Sequence, residues 1–218
     1  MATPANGRGR RIEPGKGGIL LTAIDCFTRH GYAGTSIDRI ARAAGVTKGA
    51  LYYHFRDKEQ LLFEAVKERI GAFESYVLGK VEPIADPAKS LRAIARICAE
   101  NAATDNHRRF ILTLMVEALD TNVTLSGEFR EMLRRFRSFH RHLIRSGQES
   151  GLFRNDVDAS AAAETFVGGI LGAEVQFYQD PEAIDVRSSL ETHVDQFLAW
   201  LTMPPDAQRR ATQSAREV

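Results

Sequence analysis

The run TSIDRIARAAGVTKGALYYHFRDK, residues 35–58, constrains the fold more than any other part of the chain. Ile37, Ile40, Ala41 and Ala44 recur on one face of a helix. The pattern stops at Gly45, a residue that enters a left-handed backbone at little cost. Val46, Ala50 and Leu51 then give a second short helix its inner face. Thr35, with Asp38 three places on, reads as a capping box for the first helix. The spacing from Ala41 to Gly45 sets a small residue where two helices cross and a glycine in the turn. It predicts a helix-turn-helix over residues 35–56, which offers its second helix to the major groove of duplex DNA.

Two amphipathic helices joined by glycine also occur in helical proteins that touch no nucleic acid, so the polar content of the second helix decides the reading. Thr47, Lys48, Gly49, Tyr52, Tyr53, His54 and Lys58 crowd donors and flat rings onto a short segment. Phosphates and base edges use such groups, whereas a solvated helix has little need of two tyrosines and a histidine. Lys48, long and early in the helix, is the candidate for a guanine O6/N7 contact, with Thr47 and Tyr52 beside it. Lys58, His54, Tyr53, Arg39 and the helix start at Thr35 and Ser36 are the candidates for DNA-backbone contacts.

The run from Ile19 to Val66 resembles the DNA-binding domain of the TetR family of transcriptional regulators. The matching pieces are Ile19-Leu20 with Ala23 and Phe27, Gly31-Tyr32, Thr35-Ser36, Ile40-Ala41, Ala44-Gly45-Val46, Lys48-Gly49, Leu51-Tyr52, His54-Phe55, Lys58 and Leu61-Leu62. Thr22 and Cys26 stand where the family usually has Ala and Leu, and Ala50 where many relatives carry a phosphate-binding Thr or Ser. The segment from Gly151-Leu152-Phe153-Arg154 to Asp158 resembles the loop before the penultimate helix of many such proteins. The resemblance implies an all-α chain of about nine helices. A three-helix DNA-binding domain comes first, followed by a helical domain for ligand binding and dimerisation.

Charge follows the same division. Residues 1–58 hold ten Lys/Arg against four acids, a balance of +6, while the whole chain carries only +1. A basic head on an acidic body is the electrostatic footprint of a DNA reader with a separate second domain. The expected organisation is an arm over 1–16, a DNA-binding domain over 17–60, a helical domain over 61–203 and a tail over 204–218. Arm and tail lack apolar periodicity and are expected to be disordered. The arm's arginines are suited to a minor groove, or serve only as a solubilising tail. Helices are expected near 18–30, 57–78, 88–103, 107–120, 125–150, 158–179 and 185–202, besides the reading pair, with a proline-bearing connector over 80–89.

No apolar run approaches the roughly 20 residues that span a bilayer. The N-terminus has no apolar signal core, so the expected location is the cytoplasm. Cys26 and Cys98 lie far apart on apolar faces; buried thiols are the first reading and a redox pair the second. Neither a glycine-rich phosphate loop nor Gly-x-Ser-x-Gly nor His-Glu-x-x-His occurs, and no catalytic residue or cofactor is assigned. His140 and His142 point away from each other on a helix, which speaks against a metal site.

Residues 161–178 are apolar or small nearly all round, as in a helix buried on more than one side. Gly168, Gly169 and Gly172 cost helix stability there, and close helix approach offsets that cost. With Val175 and, on the last helix, Val194, Phe197 and Leu201, the glycines Gly168 and Gly172 form the expected homodimer interface. The competing reading closes the monomer core with the same residues. The resemblance also implies an effector pocket, for which Cys98, Phe110, Leu114, Met115, Phe136, Phe139, His140 and Phe166 are candidates. Core packing is the competing role for each. His107, Arg108, Arg109, Glu117 and Glu174 are further candidates for polar recognition, with solvation as the competing role. The function expected is a sequence-specific regulator, a repressor that binds a palindromic operator as a homodimer and is relieved by a small molecule. The alternative is a DNA-binding regulator controlled by a protein partner or by no effector.

Overall fold

The computed structural model describes residues 15–121 and 123–202, with the backbone alone for Asp120, Thr121 and Val123. These residues form nine α-helices and no strand. The proposed tail, and all of the proposed arm but Gly15 and Lys16, lie outside the described residues. The chain divides into two compact units, residues 1–68 and 69–218. No helix among the described residues is long and apolar enough to cross a membrane.

The first unit contains α1 (Lys16–His30), α2 (Ile37–Ala44), α3 (Lys48–His54) and the start of α4 (Lys58–Val81). Lys16 begins α1 instead of ending an arm, and its ammonium meets Glu64 at 2.5 Å. Ile19, Ala23, Ile24 and Phe27 of α1 are buried, as are Ile40, Leu51, Phe55, Leu61 and Leu62. Each large apolar side chain buried this way contributes about 1.5–3 kcal/mol. Between α2 and α3, Gly45 takes the left-handed conformation, with φ of 70° and ψ of 23°. Its N–H donates to Arg42 O and that of Val46 to Ala41 O, the paired bonds that end a helix and turn the chain sharply. Asp57 accepts the Gln60 N–H at 2.8 Å and caps α4, while the Gln60 side chain accepts the Arg56 N–H.

The capping box expected of Thr35 and Asp38 does not form. Ser36 is the N-cap of α2 and accepts the Arg39 N–H at 3.2 Å. Asp38 turns outward to Lys48, 3.1 Å from its ammonium. Thr35 is only 1% exposed, and its hydroxyl is shared between Cys26 O at 3.1 Å and Gly31 O at 2.7 Å. Lys58 completes this knot: it donates to Tyr32 O and Thr35 O and lies 4.1 Å over the Tyr32 ring. Both residues, expected on phosphates, are instead engaged in holding the α1–α2 turn against α4. A buried hydroxyl that satisfies carbonyls has no surface to offer.

The second unit holds the rest of α4, then α5 (Pro87–Thr104), α6 (Asn106–Thr121), α7 (Val123–Glu149), α8 (Ala159–Gln179) and α9 (Val186–Thr202). The expected connector shrinks to residues 82–86, because α4 runs to Val81 and Pro87 opens α5. Proline suits that first position, where no N–H is needed, and Asp86 caps the Ala88 and Lys89 N–H groups. Asp158 caps α8 by accepting the Ala161 N–H at 2.7 Å. α7 packs on α8, α5 and α6, and α9 packs on α5 and α8. Where α7 ends, a Cβ at Gly147 would meet the buried Phe153 ring at 2.0 Å, so only glycine admits that ring.

Three residues expected at a dimer interface are core residues of the protomer. Val194, Phe197 and Leu201 are buried against Leu91, Ile94, Phe166 and Leu190. The stripe on α9 reads as one continuous apolar face, and that face serves α5 and α8 of the same chain. On α8 the positions differ: Gly168 and Gly172 are exposed with open space at the Cβ position, and Val175 is 44% exposed. Gly169 instead serves the protomer, since a Cβ there would strike the His193 ring at 2.1 Å.

The Thr35 knot carries a measurable consequence. Thr35→Val keeps the shape but removes the single buried O–H donor that Cys26 O and Gly31 O share, a loss of about 1–3 kcal/mol. Urea unfolding of the two proteins side by side measures it. A change within a few tenths of a kcal/mol would mean the hydroxyl adds nothing there.

Candidate nucleic-acid interface and buried cleft

α3 is seven residues long and buries one of them, Leu51. Thr47, at its N-cap, accepts the Ala50 N–H at 3.0 Å, which leaves Lys48 and Gly49 leading the exposed side. Tyr52 is 47% exposed and Tyr53 85%, with His54 half-buried against the Tyr53 ring. Apart from that edge contact, the open Tyr53 ring is left to solvent. Lys48 meets Asp38 with both side chains more than half exposed. A surface pair of that kind is worth about 0–1 kcal/mol, so the lysine exchanges it for another anion at little cost. Arg39 and Ser36, on α2, are also exposed. Thr35 and Lys58 alone among the ten expected contacts are withdrawn into the turn. The Thr35 hydroxyl points inward to Cys26 O and Gly31 O.

In the second unit α4 and α7 line a half-open cleft of about 100 Å³, formed by Glu74, Val77, Leu78, Arg135, Phe136, Phe139 and His140. Its walls are apolar except at one edge, where Arg135 and Glu74 pair at 3.1 Å. His140 is 1% exposed and its Nδ1 lies 2.7 Å from Phe136 O. A carbonyl only accepts, so Nδ1 carries the proton and Nε2 is a bare acceptor. That Nε2 is buried and finds no hydrogen-bond partner. Burial pulls the His140 pKa down to about 4, and the ring is neutral at pH 7.

A second, smaller cavity of about 20 Å³, room for one water, shares Phe136 with the cleft. Beside it lies a buried ion pair. Arg108 of α6 donates to Glu174 of α8 through Nε at 3.1 Å and through a terminal nitrogen at 2.7 Å, and it sits 5.3 Å over the Phe73 ring. Burial opposes the charge on both partners. On Arg108 the Glu174 carboxylate outweighs it and raises the pKa; on Glu174 burial prevails and holds the carboxyl above its ordinary value. Arg69 pairs with Asp105 nearby. An open groove between α5 and α9 is lined by Lys89, Arg92 and Arg96 facing Glu191 and Asp195, with Arg92 paired to Asp195. Among the described residues no three His, Cys, Asp or Glu side chains gather to hold a metal. Cys26 and Cys98 are free and buried, and burial pushes the Cys98 thiol up to about 12, far from a reactive thiolate.

Residues 19–65 match the family model of bacterial regulatory proteins of the tetR family, and residues 87–202 match that of the C-terminal part of BetI-type transcriptional repressors. The second match alone spans more than half of the chain. This chain belongs to the tetR family of bacterial regulators. It is 27% identical over 209 residues to the HTH-type transcriptional regulator AcrR of Shigella flexneri, covering 89% of this chain and 92% of that one. It is 25% identical over 154 residues to the fatty acid metabolism regulator protein of Bacillus subtilis, covering 70% and 77%. Among solved structures, FadR of Bacillus subtilis in complex with stearoyl-CoA shares the fold at a TM-score of 0.72, with 20% identity, over 84% of this chain and 97% of that one. AibR in complex with isovaleryl coenzyme A and operator DNA is 29% identical at a TM-score of 0.63, over 87% and 98%.

The tetR-family match covers α2 and α3 with most of α1 and the start of α4, and the BetI-type match covers α5 to α9. Of the eight residues expected to line a pocket, Phe136, Phe139 and His140 do so in the cleft. Cys98, Leu114 and Phe166 are fully packed in the core, and Phe110 and Met115 are partly buried on α6 away from the cleft lining. Cys98 and Phe166 both belong to the core shared by α5, α8 and α9, with Phe166 packed on Phe197 and His193. Sequence reasoning missed the α4 wall, Val77 and Leu78, and ranked Arg108 and Glu174 as solvated. Their apolar neighbours, Ile111 and Leu112 on α6 and Ala173 on α8, were the available signal for burial.

His140 makes stability depend on pH. Its folded pKa lies below the ordinary 6.5, so the unfolded chain binds a proton that the folded one refuses. The stabilisation is complete above pH 6.5 and falls as pH drops toward 4, by up to roughly 3 kcal/mol. Urea unfolding at pH 7 and pH 4 should show that His140→Leu loses less stability on acidification than the wild type, by about this amount. Parallel losses would assign the acid sensitivity to other groups.

Proposed function

We propose that this regulator is a repressor that holds a palindromic operator as a homodimer and is released when a small molecule enters the α4–α7 cleft. The carrying observation is the exposed face of α3, where Lys48, Tyr52 and Tyr53 stand clear of their own unit. Two such helices, one from each protomer, reach successive major grooves about 34–36 Å apart. Lys48 reads a guanine edge, Tyr52 and Thr47 flank it, and Ser36, Arg39, Tyr53 and His54 meet the phosphates on either side. The protein acts in the cytoplasm, where its operator is. Operator complexes in the family support this reading, as AibR is described with operator DNA and a thioester of coenzyme A.

The effector half of the reading rests on the cleft. α4 gives Leu61 and Leu62 to the core of the first unit and Val77 and Leu78 to the cleft in the second. A molecule that fits the cleft better at one position of α4 shifts the population toward that position, by its differential affinity and no more. Release of DNA follows if the favoured position spaces the two α3 helices away from the operator repeat. The half-open apolar cleft supports a ligand over a protein partner, because a filled core would leave nothing for a small molecule to occupy.

The dimer reading moves off the buried α9 stripe. Its surface is the open face of α8, Gly168, Gly172 and Val175, next to the exposed Thr192, Gln196 and Ala199 of α9. Small residues there let two copies approach closely, and a two-fold axis uses the same patch twice.

Two measurements test these statements. Once an operator has been selected from genomic fragments, Lys48→Ala should weaken binding to it by about 1–3 kcal/mol and relax preference at one base pair per half-site. Equal losses on operator and on random DNA would make Lys48 a phosphate contact. Gly172→Leu adds bulk on the open α8 face, which typically costs about 1–3 kcal/mol per site in a packed interface and is felt twice. Sedimentation at micromolar protein should show a shift toward monomer with helical content retained. A variant that stays dimeric and binds operator normally puts the interface elsewhere.

A further inference from the structure

A carboxylate stands beside the leading end of the reading helix. Asp38, in the first turn of α2, reaches Lys48, the first residue of α3, with Oδ2 3.1 Å from Nζ. The fold makes little use of that acid. Ser36 is the cap of α2, and the side chains of Asp38 and Lys48 are 59% and 53% exposed. A pair so open adds little to stability. Neighbouring acids are spent differently: Asp57 caps α4 and pairs with Arg56, and Glu64 pairs with Lys16. Next to DNA, Asp38 repels the phosphates that draw the rest of the unit in. What such a group gains on binding must come from a donor in the groove. The N-terminal residues of a recognition helix are those that meet base edges, so Lys48 brings Asp38 there with it.

Side by side, the two groups present a donor and an acceptor spaced like the groups of one base pair. A G·C pair shows the major groove two acceptors on guanine, N7 and O6, and then a donor, the free N4–H of cytosine. O6 and N4 are hydrogen-bonded to each other within the pair and so stand about 2.9 Å apart. The 3.1 Å between Lys48 Nζ and Asp38 Oδ2 matches that separation. An ammonium has three N–H groups, enough for N7, O6 and Asp38 at once, and the carboxylate keeps lone pairs for N4–H. The other base pairs fit worse. C·G and A·T place a donor before the ammonium and an acceptor before the carboxylate, and T·A places its methyl group where N7 would be. A lone lysine on its flexible stem can follow guanine to either strand. With the carboxylate beside it, the flipped pair sets acceptor against acceptor.

We propose, on the reading of α3 as the DNA-reading helix and of Lys48 as its base contact, that Asp38 is a specificity-determining residue. Together the two side chains read one G·C pair per half-site, Lys48 on guanine N7 and O6 and Asp38 on cytosine N4. Asp38 fixes which strand carries the guanine. Its charge also weakens binding to other sequences, where the repulsion by phosphates has no N4–H to offset it.

Anisotropy titrations of the full-length protein with the selected operator test this at the base pair where Lys48→Ala relaxes preference. That pair should be G·C, and the wild type should bind it about tenfold more tightly than the same operator with the pair flipped in one half-site. Asp38→Asn is isosteric, and its amide donates as well as accepts. In that variant the ratio should fall to about threefold or less, while affinity for random DNA should rise about two- to threefold. Asp38→Ala, which offers no hydrogen bond, should lose the ratio too, and it carries the test if the asparagine variant does not fold. A residue that only supported the fold would lower binding to every sequence alike, and that result overturns the proposal. So does a pair other than G·C at that position. A ratio that both variants keep while Lys48→Ala abolishes it also overturns it: Lys48 then reads alone, and the regulator reading stands. If Lys48→Ala relaxes no base pair and loses operator and random DNA equally, the proposal falls together with the reading of Lys48 as a base contact.

Discussion

The ion pair between Arg108 and Glu174 is the constraint around which the second unit is built. Two charges are taken out of water, and each is tolerated only because the other is within hydrogen-bond distance. Breaking such a pair by losing one member typically costs about 3–5 kcal/mol, more than most single contacts in a domain contribute. Its geometry is two-pronged, which fixes the rotation of α6 against α8 as well as their distance. The same guanidinium lies over Phe73, Phe73 stacks on Phe136, and Phe136 leads to His140. A contiguous chain of contacts thus runs from α8, through α6 and α4, to the floor of the α4–α7 cleft. Cleft shape and α8 orientation are linked by that chain, so a rearrangement at one end has a physical route to the other.

The first unit solves a different problem: a seven-residue helix is far too short to be stable by itself. Its support is tertiary. Leu51 sits in a core with Phe27, Ile40 and Phe55, and Gly45 sets the angle at which α3 leaves α2. Thr35 and Lys58 bind the α1–α2 turn to the start of α4 through four hydrogen bonds to carbonyls. With the scaffold held from behind, the front of α3 is left for polar and aromatic groups that the fold itself does not use. Residues spared from packing are those that recognition can use.

The two halves divide their surfaces by the same rule. On α9 the apolar face is consumed by α5 and α8, so Val194, Phe197 and Leu201 have no surface for a partner. On α8 the face away from the core carries glycines and Val175, a smooth strip that monomer packing leaves alone. Gly169 lies on the same helix yet answers to a different demand, since His193 occupies the space a side chain would take and its Nε2 lies 3.1 Å from Phe166 O.

Local signals were enough for the helices, for Gly45 as the turn and for Asp57 and Asp158 as caps. They act over three or four residues, or through composition, and chain order carries both. Val194, Phe197 and Leu201 show the limit: a periodic stripe says that a face is buried and is silent about what buries it. Cys98 and Phe166 were expected on a cavity and lie in full packing, whereas Val77 and Leu78, on a helix read mainly as a link, line the cleft. Thr35 had the right spacing for a cap, but Ser36 took that role while the Thr35 hydroxyl turned to Cys26 O and Gly31 O. Arg108 and Glu174 lie 66 residues apart, and no local pattern can reveal that one charge neutralises the other. Sequence by itself determined which segments are helical and where the chain turns, because those depend on neighbours along the chain. Tertiary structure alone decided which apolar faces meet each other, which charges are buried as a pair and where space remains, because those depend on neighbours that only folding brings together.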